Sequence, residues 1–151
     1  MKVCFSGTFN ILHKGHKYLI DKAIDIAGEK GTLYLGITDG EILKNKEFTI
    51  PIAERIKNIK KYLKLKNYDK QTIIKIIYDE FGPAVDGDYD AIIVSPETLK
   101  NAEELNKKRI KSGKNPLKLI EIPFVLAEDN KPISSTRIYN KKIDEEGKIV
   151  K

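Results

Sequence analysis

Short apolar, β-branched runs alternate with amphipathic stretches along almost the whole of this chain. That alternation restricts the fold more than any other feature. Residues 3–6, 32–37, 72–77, 90–94 and 117–122 are each apolar runs of strand length. The stretches between them carry helical spacing. Within 15–27, Leu19, Ala23 and Ile26 share a face, with Ile20, Ile24 and Ala27 beside them and Gly28 and Gly31 as the stop. Pro51 opens a second helix, in which Ile52, Ile56, Ile59 and Leu63 recur at 4, 3, 4 spacing. Ser95, Pro96 and Glu97 read as the N-cap, first-position proline and acidic first turn of a third helix that ends near Lys111 and Gly113. Ser134, Ser135 and Thr136 cap a short last helix over 137–142, and the tail from about 144 is expected to be loose. Residues 38–49 and 79–88 are polar connections. Strand–helix alternation with short turns implies an α/β protein: one doubly wound, five-stranded parallel sheet covered on both faces, in one domain over 1–151. Ligands of such sheets bind beyond the carboxyl ends of the strands. The loops 7–16, 38–49, 95–98 and 132–137 are expected on that edge.

At 151 residues the chain is long enough to bury a real core. No apolar run approaches the ~18 residues of a membrane span. Its first residues turn polar too quickly for a secretory signal. A lone Cys4 excludes a disulfide framework and fits a reducing cytoplasm. Cys4 reads as a small apolar residue in a buried strand, with a reactive thiol as the alternative. The net charge of +6 suits anionic ligands, phosphate or nucleic acid. Of the 28 basic residues only Arg55, Arg109 and Arg137 are arginine. Either a planar, bidentate donor is needed at those places, or they are what drift has left.

The two histidines stand three residues apart, in Gly7-Thr8-Phe9-Asn10-Ile11-Leu12-His13-Lys14-Gly15-His16. The segment joins the first strand to the first helix. An i, i+3 spacing places both rings on one face of the helix start. Gly15 has no Cβ, so a ligand can approach the backbone there. Free N–H groups and the helix dipole add donors for an anion. Together these groups suit phosphoryl oxygens under in-line attack. Two other readings stand beside this one: a zinc site completed by Cys4, which would lack a third His, and a pair of ordinary surface or cap histidines.

Gly7-Thr8-Phe9-Asn10 followed by His13-Lys14-Gly15-His16 resembles the signature of the HxGH nucleotidyltransferases. That superfamily has a Rossmann-like core shared with the class I aminoacyl-tRNA synthetases. Four later segments resemble the archaeal type of phosphopantetheine adenylyltransferase: Phe81-Gly82-Pro83-Ala84, Val94-Ser95-Pro96-Glu97-Thr98, Val125-Leu126-Ala127-Glu128-Asp129, and Pro132-Ile133-Ser134-Ser135-Thr136-Arg137-Ile138. The resemblance spans residues 3–147. It implies transfer of an adenylyl group from ATP to 4'-phosphopantetheine, giving dephospho-coenzyme A and pyrophosphate. The acceptor phosphate would attack the α-phosphorus directly.

By the same resemblance, Thr8 bridges the attacking and α-phosphates, His16 stabilises the transition state and His13 contacts the nucleotide phosphates. Gly7, Phe9 and Gly15 belong to the same nucleotide-binding segment. Ser134, Ser135 and Thr136 form the second phosphate-binding segment, which Arg137 ends. One lysine of the 38–49 loop, Lys44 or Lys46, holds the transferred phosphates. Glu97, in the 95–98 region, lines the base pocket. Arg109 lies near nucleotide or substrate phosphates, and Arg55 near the active-site edge or in a structural ion pair. Where the family usually has Asp this chain has Asn10, which keeps an acceptor oxygen but not the charge. Such an Asn can organise backbone but cannot act as a carboxylate. Magnesium is expected to ride on the ATP phosphates with no dedicated protein ligands. No nucleic acid or membrane partner is expected, and the state is a monomer or a small homo-oligomer. The alternatives are a cytidylyltransferase or FMN adenylyltransferase with the same signature, which the 95–98 region should separate. More distant is RNA binding, against which stand seven Tyr and five Phe without a base-stacking cluster.

Overall fold

The computed structural model describes residues 1–79 and 81–151. Its strands are β1 (Lys2–Gly7), β2 (Thr32–Thr38), β3 (Thr72–Ile77), β4 (Ala91–Val94) and β5 (Lys118–Glu121). Its helices are α1 (Lys14–Ala27), α2 (Ile52–Leu65), α3 (Leu99–Lys111) and α4 (Ser135–Tyr139). All four strand pairings are parallel, in the order β3-β2-β1-β4-β5. The order reverses between β1 and its β4 neighbour, which puts the topological switch point at the carboxyl end of β1.

Alternation along each strand divides the core. Val3 and Phe5 of β1, with Leu33, Leu35 and Ile37 of β2, pack under Ile20, Ala23 and Ile24 of α1 and Ile59 and Leu63 of α2. On the other face Cys4 packs with Ala84, Leu105 and Leu117. Burial raises the Cys4 thiol to about 12, so it acts as the small apolar residue expected rather than as a nucleophile.

The structure differs from the sequence reading at three chain ends. Helix α3 starts at Leu99, not at Pro96. Residues 95–98 form a turn in which the Thr98 hydroxyl accepts the Ser95 N–H (2.9 Å), so Thr98 rather than Ser95 supplies the local side-chain oxygen. Helix α4 covers Ser135–Tyr139, not 137–142. The Ser134 hydroxyl accepts the Arg137 N–H and caps it, and Lys141 at φ +60° closes the far end. Finally, the tail beyond 143 is folded. Ile143 is 1% exposed in an apolar cluster with Ala127 and Ile133. The Asp144 carboxylate accepts the Glu146 and Lys148 N–H groups, and the Glu145 carbonyl accepts the Lys14 N–H. The polar run 144–148 looked loose because its order comes from an Asx-type turn and from contact with α1.

Candidate active site

Beyond Gly7 the chain turns sharply before entering α1. Phe9 takes the left-handed backbone conformation (φ +53°), which costs a non-glycine residue of order 1 kcal/mol. Core burial of its ring offsets this: Phe9 is 3% exposed, edge-on to Phe5 and 4.8 Å from the His16 ring centroid. A Cβ on Gly7 would sit 3.1 Å from that ring. Gly7 therefore acts beneath the site, by admitting Phe9.

His13 is the N-cap of α1. Its side chain accepts the N–H groups of Gly15 (3.0 Å) and His16 (3.3 Å) through Nδ1. The His16 Nδ1 accepts the His13 N–H in return, at 3.4 Å, which makes a capping box from two imidazoles. The rings stack with centroids 3.7 Å apart. A Cβ on Gly15 would meet the His13 ring at 2.9 Å, so the glycine leaves room for this cap. The hydrogen bonds assign the tautomers. With Nδ1 accepting in both rings, the proton of each neutral imidazole sits on Nε2, and each ring can offer an Nε2–H donor.

Burial keeps both rings neutral. It lowers His13 from 6.5 to about 4, with the Lys17 charge adding to the effect. Burial and the neighbouring His13 hold His16 well below its usual range, against a smaller opposing pull from the Ile11 carbonyl. The unfolded chain therefore binds protons first as pH falls. The stabilisation from neutral His13 is complete above about pH 6.5 and is lost as pH drops toward 4. We expect about 2 kcal/mol less stability at pH 5 than at pH 7 from His13. Urea unfolding at the two pH values measures the two histidines together, and His13→Asn, which keeps an N-cap, should remove the His13 part and leave that of His16.

Across from α1, the Thr8 hydroxyl pairs with that of Thr38 at 2.9 Å. Arg55 is fully buried, and its guanidinium fastens the surrounding loops. It donates to the carbonyls of Thr8 (3.0 Å), Thr38 (2.7 Å) and Ile50 (2.6 Å) and to the Asp39 carboxylate (3.1 Å). From α4, the Ser135 hydroxyl accepts the Ile11 N–H and donates to the Ile11 carbonyl, both at 3.1 Å. That residue staples the 132–138 segment to the histidine loop.

These elements surround a cleft of about 320 Å³. It brings together Thr8, Phe9, His13, Gly15, His16, Lys46, Glu97, Ser134, Ser135 and Thr136. Of the loop lysines, Lys46 lines the cleft and Lys44 does not. Arg109 is not brought to the cleft, which corrects the expectation for it. It is 4% exposed within the α3 packing and donates to the carbonyls of Ala84 (2.7 Å), Gly87 (2.9 Å) and Asn115 (2.8 Å). Those backbone groups take its Nε and Nη1 donors. Arg137 is also diverted, to the Asp129 carboxylate and the Pro132 carbonyl, so it shapes the turn before α4 and does not line the cleft. Cys4 faces the opposite side of the sheet from the histidines. Among the described residues no group of three or more His, Cys, Asp or Glu is placed to hold a metal ion.

The sequence reading missed the 122–125 wall of the cleft, made by Ile122, Pro123, Phe124 and Val125. Its signal was the carboxyl end of β5, which must lie on the same edge as the other loops. The sequence also gave no sign that Phe48 stacks on Tyr139, with centroids 4.1 Å apart and planes within 10°. A second, apolar groove of about 130 Å³ runs between the sheet and α3. Its walls include Ser6, Tyr34, Gly36, Ile77, Phe81, Tyr89, Thr98, Asn101 and Leu105. Among the described residues none lines both hollows, but Ser6 of the groove and Thr8 of the cleft lie at the end of β1, and Thr98 and Glu97 are neighbours in the 95–98 turn.

This geometry agrees with the comparisons to known proteins. Residues 4–141 match the cytidylyltransferase-like family. The phosphopantetheine adenylyltransferase of Methanosarcina acetivorans is 42% identical over 149 residues, covering 98% of this chain and 95% of its own. That of Archaeoglobus fulgidus is 39% identical over 151 residues, covering 99% and 100%. The chain belongs to the phosphopantetheine adenylyltransferase family. Members of this nucleotidyltransferase family also occur fused: a bifunctional phosphopantetheine adenylyltransferase/NTP phosphatase of Thermoplasma volcanium is 45% identical over 148 residues, which are 96% of this chain and 44% of that one. Among solved structures, an Archaeoglobus fulgidus protein of unknown function superposes with a TM-score of 0.73 at 31% identity, covering 89% of this chain and all of that one. A pantoate-beta-alanine ligase from Francisella tularensis shares the fold alone, with a TM-score of 0.56 at 16% identity over 92% of this chain and 65% of its own. No helix of the described residues is long and apolar enough to cross a membrane.

Proposed function

We propose that this chain transfers an adenylyl group from ATP to 4'-phosphopantetheine, releasing pyrophosphate and forming dephospho-coenzyme A. The observation that carries the chemistry is the pair of neutral histidines whose Nδ1 atoms are already engaged by backbone N–H groups. Such a site offers donors but has no free imidazole base beside a nucleophile. Of the hydroxyls in the cleft, Thr8 pairs with Thr38, Ser134 caps α4 and Ser135 holds Ile11. A phosphate acceptor suits this site, because its oxygen is ionised already and needs no base.

In this reading the acceptor phosphate meets Thr8 and attacks the α-phosphorus in line with the departing pyrophosphate. One P–O bond forms as the other breaks. Negative charge on the transferring group meets the Nε2–H groups of His16 and His13, the Lys46 ammonium and the hydroxyl of Thr136. Preorganisation matters here, since the stacked rings and the capping box fix the donors before substrate arrives. The pantetheine arm lies in the groove toward α3, where Asn101, Thr98 and Ser6 can face its amides. The 122–125 wall and Glu97 enclose the nucleoside. Magnesium would accompany the triphosphate and offset its charge. A cytoplasmic setting fits the substrates.

A panel of substrates tests the reading. Purified protein is given ATP or CTP with 4'-phosphopantetheine, FMN or glycerol 3-phosphate, and pyrophosphate is followed. We expect release only with ATP and 4'-phosphopantetheine. Turnover confined to CTP, or to another acceptor, would reject the assignment.

A further inference from the structure

We infer that Asn10 is a positioning residue whose carboxamide holds the Lys46–Ile50 segment across the cleft, so that its effect on the reaction passes through Lys46. The inference rests on the role of Lys46 proposed above. Asn10 is 5% exposed, and both ends of its amide are engaged. Nδ2 donates to the Phe48 carbonyl at 2.9 Å, and Oδ1 accepts the Ile50 N–H at 3.0 Å. These bonds reach 38 and 40 residues along the chain. They therefore tie the histidine loop to the lysine loop directly. Arg55 takes the Ile50 carbonyl at 2.6 Å, so the peptide groups at Ile50 are gripped on both sides. Upstream, the Lys46 N–H bonds the Leu43 carbonyl at 2.9 Å. Between those fixed points Lys46 and Phe48 line the cleft.

The amide is required for both bonds. A carboxylate of the same size could accept from Ile50 N–H, but it would set an anion against the Phe48 carbonyl oxygen. On the solvent side the Phe48–Tyr139 stack completes the strap. Tyr139 is 53% exposed and does not line the cleft, so it can be changed without touching a group placed on substrate.

A double-mutant cycle tests this. Asn10→Ala should lower kcat/KM for ATP by about 10- to 100-fold and leave KM for 4'-phosphopantetheine within about 2-fold, as expected for a lost positioning contact. In a Lys46→Ala background the same change should cost less than about 2-fold more, because the group it positions is gone. Asn10→Asp, which keeps the Ile50 bond, should fall between wild type and Asn10→Ala, and it serves as the readout if the alanine variant does not fold. Additive losses in the cycle would overturn the inference, as would Asn10→Asp with wild-type kinetics. If Lys46→Ala itself is silent, the failure belongs to the proposed role of Lys46.

Discussion

Replacing His16 by alanine is expected to lower kcat for pyrophosphate release by about 10³-fold or more, the scale of losing a preorganised donor in an active site. The protein should remain folded. Besides the long half of the capping box, His16 contributes its stack on His13 and its contact with Phe9, and its loss should cost about 1–2 kcal/mol of stability. Far-UV circular dichroism and a urea midpoint close to wild type would show that. His16→Gln separates the possible roles of the ring. A glutamine amide can present an N–H near the place of Nε2, so it should recover part of the lost rate. A general base would gain nothing from that substitution, since an amide does not titrate. Near wild-type turnover in His16→Ala would overturn the donor mechanism.

The second large effect is expected at Arg55, and it is one of stability as well as rate. Arg55→Leu leaves three carbonyls and the Asp39 carboxylate without their buried donor. Removing one side of a buried, fully bonded charge costs about 3–5 kcal/mol. Because the carbonyl of Thr8 is among those released, the folded fraction should also turn over more slowly. Arg55→Lys keeps the charge, but a point ammonium cannot span acceptors arranged around a fork, so it should restore only part of the stability. Arg109 supplies the control. It is similarly buried and bonded to four carbonyls, but it does not reach the cleft. Arg109→Leu should lower the urea midpoint by about 3 kcal/mol worth of stability while KM for ATP moves less than about 2-fold. Chemical denaturation and initial rates measured below the unfolding transition check both variants. A large rise in KM for ATP in Arg109→Leu would return that residue to the binding machinery.

Arg55 and Arg109 also show what a sequence can and cannot reveal. The sequence left open whether the three scarce arginines mark forked donors or drift, and each of them does grip more than one acceptor. Their acceptors are backbone carbonyls and, for Arg55 and Arg137, a neighbouring Asp, since nothing in the local pattern distinguishes a loop carbonyl from a phosphate oxygen. The sheet was legible from end to end, because period-2 and period-3.6 burial act over neighbouring residues. So was the placing of the histidine pair and of the serine-rich cap at helix starts, since capping depends on contacts within a few residues. Long-range contacts were not. The Asn10 bonds to Phe48 and Ile50, the Ser135 staple on Ile11, the Phe48–Tyr139 stack and the folding of 144–148 against α1 all join positions whose proximity only the fold creates. The choice between Lys44 and Lys46 was of the same kind. They are two residues apart, and the turn that separates their directions is set by the anchors on either side.

A site built of donors is expected to carry out one displacement at the α-phosphorus, with no covalent intermediate on the protein. The stereochemical course at that phosphorus tests it most directly. The enzyme is given one diastereomer of ATP with sulfur at the α-phosphate, together with 4'-phosphopantetheine, and the configuration of the product thiodiphosphate is read. A single in-line displacement predicts inversion. Retention would require two displacements and a protein-bound adenylyl group, and would contradict direct transfer.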